Sequence, residues 1–161
     1  MYRFTHTFIK TLSMNHSAVN DLLVDIESIL TRIRSRAPTR DPRMPEEMMV
    51  LFQNKIDLLF QVNHIYHDKD LTVAKLATLL GTNTSYLSIF FNQHYGKSFR
   101  TFLNELRIRE TKELLLNSDF DYLTFDAIGL TAGFNSKSSF FRAFRNITGI
   151  SPKEFRDMYR K

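Results

Sequence analysis

The 161-residue chain contains no cysteine. That excludes a disulfide framework, a thiolate zinc site, an iron–sulfur cluster and a cysteine nucleophile. It also lacks long apolar runs: stretches such as Met48-Met49-Val50-Leu51-Phe52 fall far short of the roughly 20 residues that a membrane-spanning helix requires. The first residues, Met1-Tyr2-Arg3-Phe4-Thr5-His6, form neither an apolar h-region nor a small-residue cleavage site. No membrane association and a cytoplasmic location are therefore expected. Proline is scarce, and three of the four prolines, Pro38, Pro42 and Pro45, fall in one stretch, where missing donors and fixed φ oppose a continuous helix. This stretch reads as the linker that ends an N-terminal region, 1–45, before a second region, 46–161.

What is present fits a small globular protein, with 43% apolar and 24% charged residues. The net charge of +5 is unevenly placed: residues 1–130 carry fifteen Lys/Arg and fifteen Asp/Glu, whereas the last 31 carry seven and two. A polyanion is the partner such a cluster fits, with a solubilising tail as the alternative.

Apolar residues recur at three- and four-residue steps with no sustained period of two, so the fold is expected to be all-α. Before the linker, Val19, Leu22, Ile26, Ile29 and Ile33 form a heptad seam widened by Leu23 and Leu30. Asp21, Asp25 and Glu27 precede Arg32, Arg34 and Arg36, the order a helix dipole favours. The stripe either pairs two copies of the chain or packs on its own domain. After the linker, 46–67 reads as a support helix carrying Met49, Phe52, Ile56, Leu59 and Phe60. It includes His64 and His67, whose spacing could let two imidazoles share a metal ion. No further donor is placed to complete a site, so no metal is expected.

The chain also repeats itself. At a shift of 52 residues Leu71-Thr72 falls on Leu123-Thr124, Leu76 on Ile128, Gly81 on Gly133 and Asn83 on Asn135. After one inserted residue Leu87 falls on Phe140, Phe91 on Phe144, Gly96 on Gly149 and Phe102 on Phe155. Each copy reads as a helix-turn-helix, spanning 70–96 and 122–149. Thr72 and Thr124 are placed to cap the first helices, Gly81 and Gly133 to make the turns, and Asn83 and Asn135 to cap the second helices. Between the copies, 98–117 reads as one helix capped by Ser98. Beyond them, Ser151-Pro152-Lys153-Glu154 joins a capping box to a proline at the first position of a terminal helix, 151–161.

Residues from about 70 to 160 resemble the DNA-binding domain of AraC/XylS-type bacterial transcription regulators. The resemblance rests on Leu76-Ala77, Gly81, Ser85-Tyr86-Leu87-Ser88, Phe91 and Gly96, and on Ile128, Ala132-Gly133-Phe134, Ser138, Phe140, Arg142, Phe144, Gly149, Ser151-Pro152 and Phe155-Arg156. It implies two helix-turn-helix subdomains joined by a long helix, preceded here by N-terminal helices. It further implies a regulator, more often an activator, that needs no cofactor and catalyses no reaction. Double-stranded DNA and RNA polymerase would be its partners and the nucleoid its location.

By position, the resemblance implies that Asn83, Ser85, Tyr86, Ser88, Ile89 and Asn92 face DNA in the first unit. In the second unit they are Asn135, Ser136, Lys137, Ser138, Phe141, Arg142 and Arg145. The first set has no cation, and Ile89, where the family often has arginine, either meets a thymine methyl or belongs to the core. Arg142, read as sharing one side of its helix with Lys137, is the expected guanine reader, with Lys137 and Arg145 on phosphates. Gly129 stands where the family usually has alanine, at an expected cost of about 1 kcal/mol, and Ser139 where tyrosine is frequent. Both departures imply a second unit that is less rigid alone. The competing reading is a protein-interaction module whose heptad helix binds a partner and whose DNA-binding region is vestigial.

Overall fold

The computed structural model describes residues 44–160, which contain seven α-helices, two 3-10 turns, one π-helical turn and no strand. The all-α expectation is met. The heptad residues Val19 to Ile33 and most of the proline stretch lie outside the described residues.

Helix α1 (Glu46–Asp57) follows Pro45 with Glu46 and Glu47 in its first turn and Lys55 in its last, which matches the helix dipole. It buries Met48, Leu51, Phe52 and Ile56. The expected helix to residue 67 is interrupted. Leu58–Val62 forms a π-helical turn, His64 is left-handed at φ +47°, and Ile65–His67 is a short 3-10 turn. The wider turn carries Phe60 into edge-on contact with Phe99 and Phe102, at ring separations of 6.4 and 5.5 Å. His64 and His67 therefore do not share a helix face, and His67 Nε2 instead lies 2.5 Å from Glu110 Oε2. Among the described residues no three His, Asp or Glu side chains gather as metal ligands would.

The first helix-turn-helix is α2 (Val73–Leu79) and α3 (Thr84–Tyr95). Thr72 accepts from Lys75 N at 3.1 Å and Asn83 from Tyr86 N at 3.0 Å, so both caps form where the spacing predicts them. Leu76, Ala77, Leu80, Leu87, Phe90 and Phe91 are buried. Phe52 of α1 meets Phe90 edge-on at 5.7 Å, which makes α1 the third helix of this unit.

Helix α4 (Phe99–Leu116) is capped by Ser98, which accepts from Thr101 N at 3.2 Å. Its 18 residues span about 27 Å and serve two cores. Phe99 and Phe102 pack on Phe91, whereas Ile108 and Leu115 join Ile128, Phe134, Phe140, Phe144 and Phe155. The second unit follows as α5 (Phe125–Thr131), α6 (Lys137–Thr148) and α7 (Pro152–Tyr159). Ser151 and Glu154 form the expected capping box, with Pro152 at the start of α7.

Arg107 of α4 is only 5% exposed, deep enough that burial lowers the pKa of its guanidinium. Its Nε donates to the Tyr66 carbonyl at 2.7 Å and Nη2 to the Asp68 carbonyl at 2.8 Å, while its carbon lies 5.6 Å from the centre of the Phe134 ring. One side chain thus ties the 66–68 segment, the long helix and the turn of the second unit together. Gly133 closes the arrangement: at φ +96°, a Cβ there would lie 2.3 Å from the Tyr66 carbonyl oxygen. Lys55, the residue 52 positions before Arg107, is buried too and donates to the Leu80 carbonyl at 3.4 Å, beside the turn of the first unit.

Gly129 is explained by packing. A Cβ there would stand 2.5 Å from Phe140 Cγ, and Phe140 is fully enclosed. The glycine that weakens α5 lets α6 approach it. Gly129→Ala is therefore expected to lower stability by about 1–2 kcal/mol although alanine is the better helix former; a raised urea midpoint would contradict this. Arg107→Met, which strips two carbonyls of their donors, is expected to cost about 2–4 kcal/mol in the same measurement.

Candidate nucleic-acid interface

Helix α6 begins one residue later than the repeat predicts. Ser136, not Asn135, is its cap and accepts from Ser139 N at 3.2 Å. The inserted residue that changes the repeat from 52 to 53 falls here, and it frees the Asn135 side chain from the capping role. Asn135 is exposed in the turn.

Phe140, Ala143 and Phe144 bury one side of α6, leaving Ser138, Arg142 and Arg145 exposed on the other. Lys137 is not beside Arg142. Five residues correspond to about 140° of helical rotation, so Lys137 turns to α5, where Nζ lies 2.8 Å from Asp126 Oδ2 and 5.6 Å from the centre of the Phe141 ring. Phe141 is half-buried against the second core. The basic C-terminal stretch is thus partly neutralised: Lys137 pairs with Asp126, Arg160 with Asp121, and Arg156 lies 4.3 Å from the centre of the Phe125 ring. The Glu154 carboxyl is held below its usual range by hydrogen bonds from Ser151, with Arg145 contributing.

On α3, Ser85, Tyr86, Ser88 and Asn92 are exposed and Ile89 is half-buried. Asn83 Oδ1 is engaged as the cap, and Ser88 Oγ donates to the Thr84 carbonyl at 2.8 Å. Both readings of Ile89 meet in this position, since part of the side chain is packed and part is open. The face has no cation, as its sequence indicates.

Between the two units lies a cleft of about 1110 Å³ whose walls include Lys69, Ser88, Arg100, Asn104, Asn135 and Arg142. Of the sequence-predicted residues it gathers Ser88, Asn135 and Arg142; Ser85, Tyr86, Ile89, Asn92, Lys137, Ser138, Phe141 and Arg145 lie elsewhere on their helices. Arg100 and Asn104 were invisible to motif reasoning because they sit on the linker helix. Their signal was present in the spacing Arg100, Asn104, Arg107, Thr111, a stripe along one side of α4 whose first half is open and whose second half is buried.

Residues 76–158 match the family described as a helix-turn-helix domain. The chain belongs to the AraC-type helix-turn-helix family. Over 107 residues, 66% of the chain, it is 32% identical to an HTH-type transcriptional regulator of Staphylococcus aureus, of which it spans about one-seventh, 14%. The C-terminal domain of the two-component response regulator yesN from Fusobacterium nucleatum is similar at 29% identity and TM-score 0.56, covering 69% of this chain and 99% of that one. A transcriptional regulator from Chromobacterium violaceum described as AraC-type matches at 25% identity and TM-score 0.53, over 66% of this chain and 95% of that one. The matched region is thus an AraC-type helix-turn-helix domain of the kind that those transcription regulators carry. Among its described residues no helix is long and apolar enough to cross a membrane.

The cap assignment in α6 separates two serine and asparagine neighbours. Ser136→Ala is expected to cost this AraC-type domain about 1 kcal/mol in thermal or urea denaturation, and Asn135→Ala almost nothing; the reverse order would restore Asn135 as the cap.

Proposed function

We propose that this AraC-type domain reads two successive major-groove segments of double-stranded DNA, α3 in one and α6 in the next. The observation that carries the reading is the unbroken α4, which supplies side chains to both cores and so fixes the two recognition helices to one rod of about 27 Å. This is of the same order as the ~34 Å turn of B-DNA. In the second unit Arg142 is the base reader, making a bidentate contact to guanine; it is exposed and engaged by no carboxylate among the described residues. Arg145 serves a neighbouring phosphate. Lys137, turned to Asp126, joins only by exchanging that partner. Ser85, Tyr86, Ile89 and Asn92 form the first reading face with Ser88 at its edge, and Asn135, Ser136, Ser138 and Phe141 flank Arg142. The cation-free first face supports weaker reading there, dominated by shape and thymine methyl contact.

The regulator acts as an activator in contact with RNA polymerase at the nucleoid, without a cofactor, and residues 1–45 pair two copies through Val19, Leu22, Ile26, Ile29 and Ile33. Residues 46–161 then form the DNA-binding region. Selection of bound sequences from a random DNA pool at about 150 mM salt tests the reading. Two short blocks about 10 base pairs apart are expected, and no enrichment would favour the protein-interaction module instead. Arg142→Ala is expected to remove about 1–3 kcal/mol of discrimination at one G·C pair while leaving the melting temperature unchanged. Unaltered base preference in that variant would overturn the assignment of Arg142.

A further inference from the structure

The cleft between the two units has a charge pattern of its own. Its lining brings Lys69 from the loop before α2, Arg100 from the first turn of α4 and Arg142 from α6 together with a single carboxylate, Asp70. None of these three cations has a hydrogen bond or ion pair among the described residues, in contrast with Lys75, Lys97, Lys137 and Arg160, which are all paired. Arg107 also reaches the cleft, but its donors are taken by the Tyr66 and Asp68 carbonyls. Asn104 and Arg100 stand on the same side of α4 as Arg107, one and two turns earlier, and both line the cleft. The carboxamides of Asn104 on α4 and Asn146 on α6 add neutral donors to the lining.

An open trough with unpaired guanidinium, ammonium and amide donors fits an extended, repeating anion better than an apolar ligand. We infer that this cleft seats the phosphodiester backbone of double-stranded DNA between the two groove segments, with Arg100 and Lys69 as its cationic contacts and Asn104 as a neutral donor. The inference rests on the two-groove reading and extends the interface from the recognition helices to the linker helix. Arg142, on the far wall, stands where the seated strand passes into the groove that α6 reads. Asp70 opposes the strand.

Phosphate contacts release counterions and carry no base information, so their signature is a salt slope without a change in preference. The test uses the full chain and a duplex carrying the selected sequence, titrated by fluorescence anisotropy between about 100 and about 300 mM KCl. Arg100→Gln is expected to weaken binding about fivefold at about 150 mM salt and to reduce the slope of log K against log salt by about 0.9. Base preference and melting temperature should stay as they are, because Arg100 is exposed and unpaired. Asp70→Asn is expected to tighten binding and leave preference intact. Unchanged affinity and slope in both variants, with the unsubstituted chain still selecting its two blocks, would overturn the phosphate seat and leave the two-groove reading standing. Loss of preference at one base pair in Arg100→Gln would also overturn it, since Arg100 would then read a base. Absence of any selected sequence would overturn both.

Discussion

The buried guanidinium of Arg107 is the constraint on which the second unit and its approach to the first depend. Burying a charge is tolerated only where donors and acceptors are matched, and here two backbone carbonyls of the 66–68 segment and the face of Phe134 supply the match. The segment can reach Arg107 because the π-helical turn at Leu58–Val62 and the left-handed His64 redirect the chain after α1. Gly133 must be a glycine twice over, for its positive φ and because the Tyr66 carbonyl oxygen occupies the space of a side chain. The same segment is braced from outside by the contact of Lys75 with Asp68 and of His67 with Glu110. Burial, aided by the Glu110 charge, pushes the Tyr66 phenol up to about 12.

The duplication is deeper than two helices per copy. Leu51, Lys55 and Ile56 of α1 lie 52 residues before Leu103, Arg107 and Ile108 of α4, and all six are buried. Each helix-turn-helix is therefore preceded by a helix that packs on it, and α4 is both that helix for the second unit and the rod between the units. The buried cation also recurs, near the helix-turn-helix turn in each copy. Lys55 makes one long contact with the Leu80 carbonyl, whereas Arg107 makes two short ones. The planar fork of arginine fits two carbonyls where the single ammonium of lysine serves one.

Charge is divided in a way that composition does not reveal. Several cations of the basic C-terminal stretch are tied down by local acids or laid on rings, and exposed pairs of that kind contribute little to stability. Their larger effect is to remove those cations from the free surface. Three unpaired positive groups, Lys69, Arg100 and Arg142, instead meet in the cleft, one from each flank and one from the rod.

Short-range chemistry in the chain was enough to specify most of the helices and caps, and the repeat. Thr72, Asn83, Ser98, Thr124 and the Ser151–Glu154 box bond to amides three residues away, and apolar spacing alone marks each buried face. The residues expected to face DNA fall mostly at exposed positions opposite those faces, with Ile89 and Phe141 half-buried, but which way each would turn was not legible. Pairing Lys137 with Arg142 failed because its true neighbour, Asp126, is eleven residues away on another helix. The missed cap at Ser136 followed from one inserted residue, which shifts the frame without changing composition. What only the tertiary structure decided are contacts across long sequence separations: Arg107 with Tyr66 and Asp68, Gly129 beneath Phe140, and the three cations around one cleft. Periodicity reports which side of a helix is apolar, but distance in space between polar groups is set by how the helices pack.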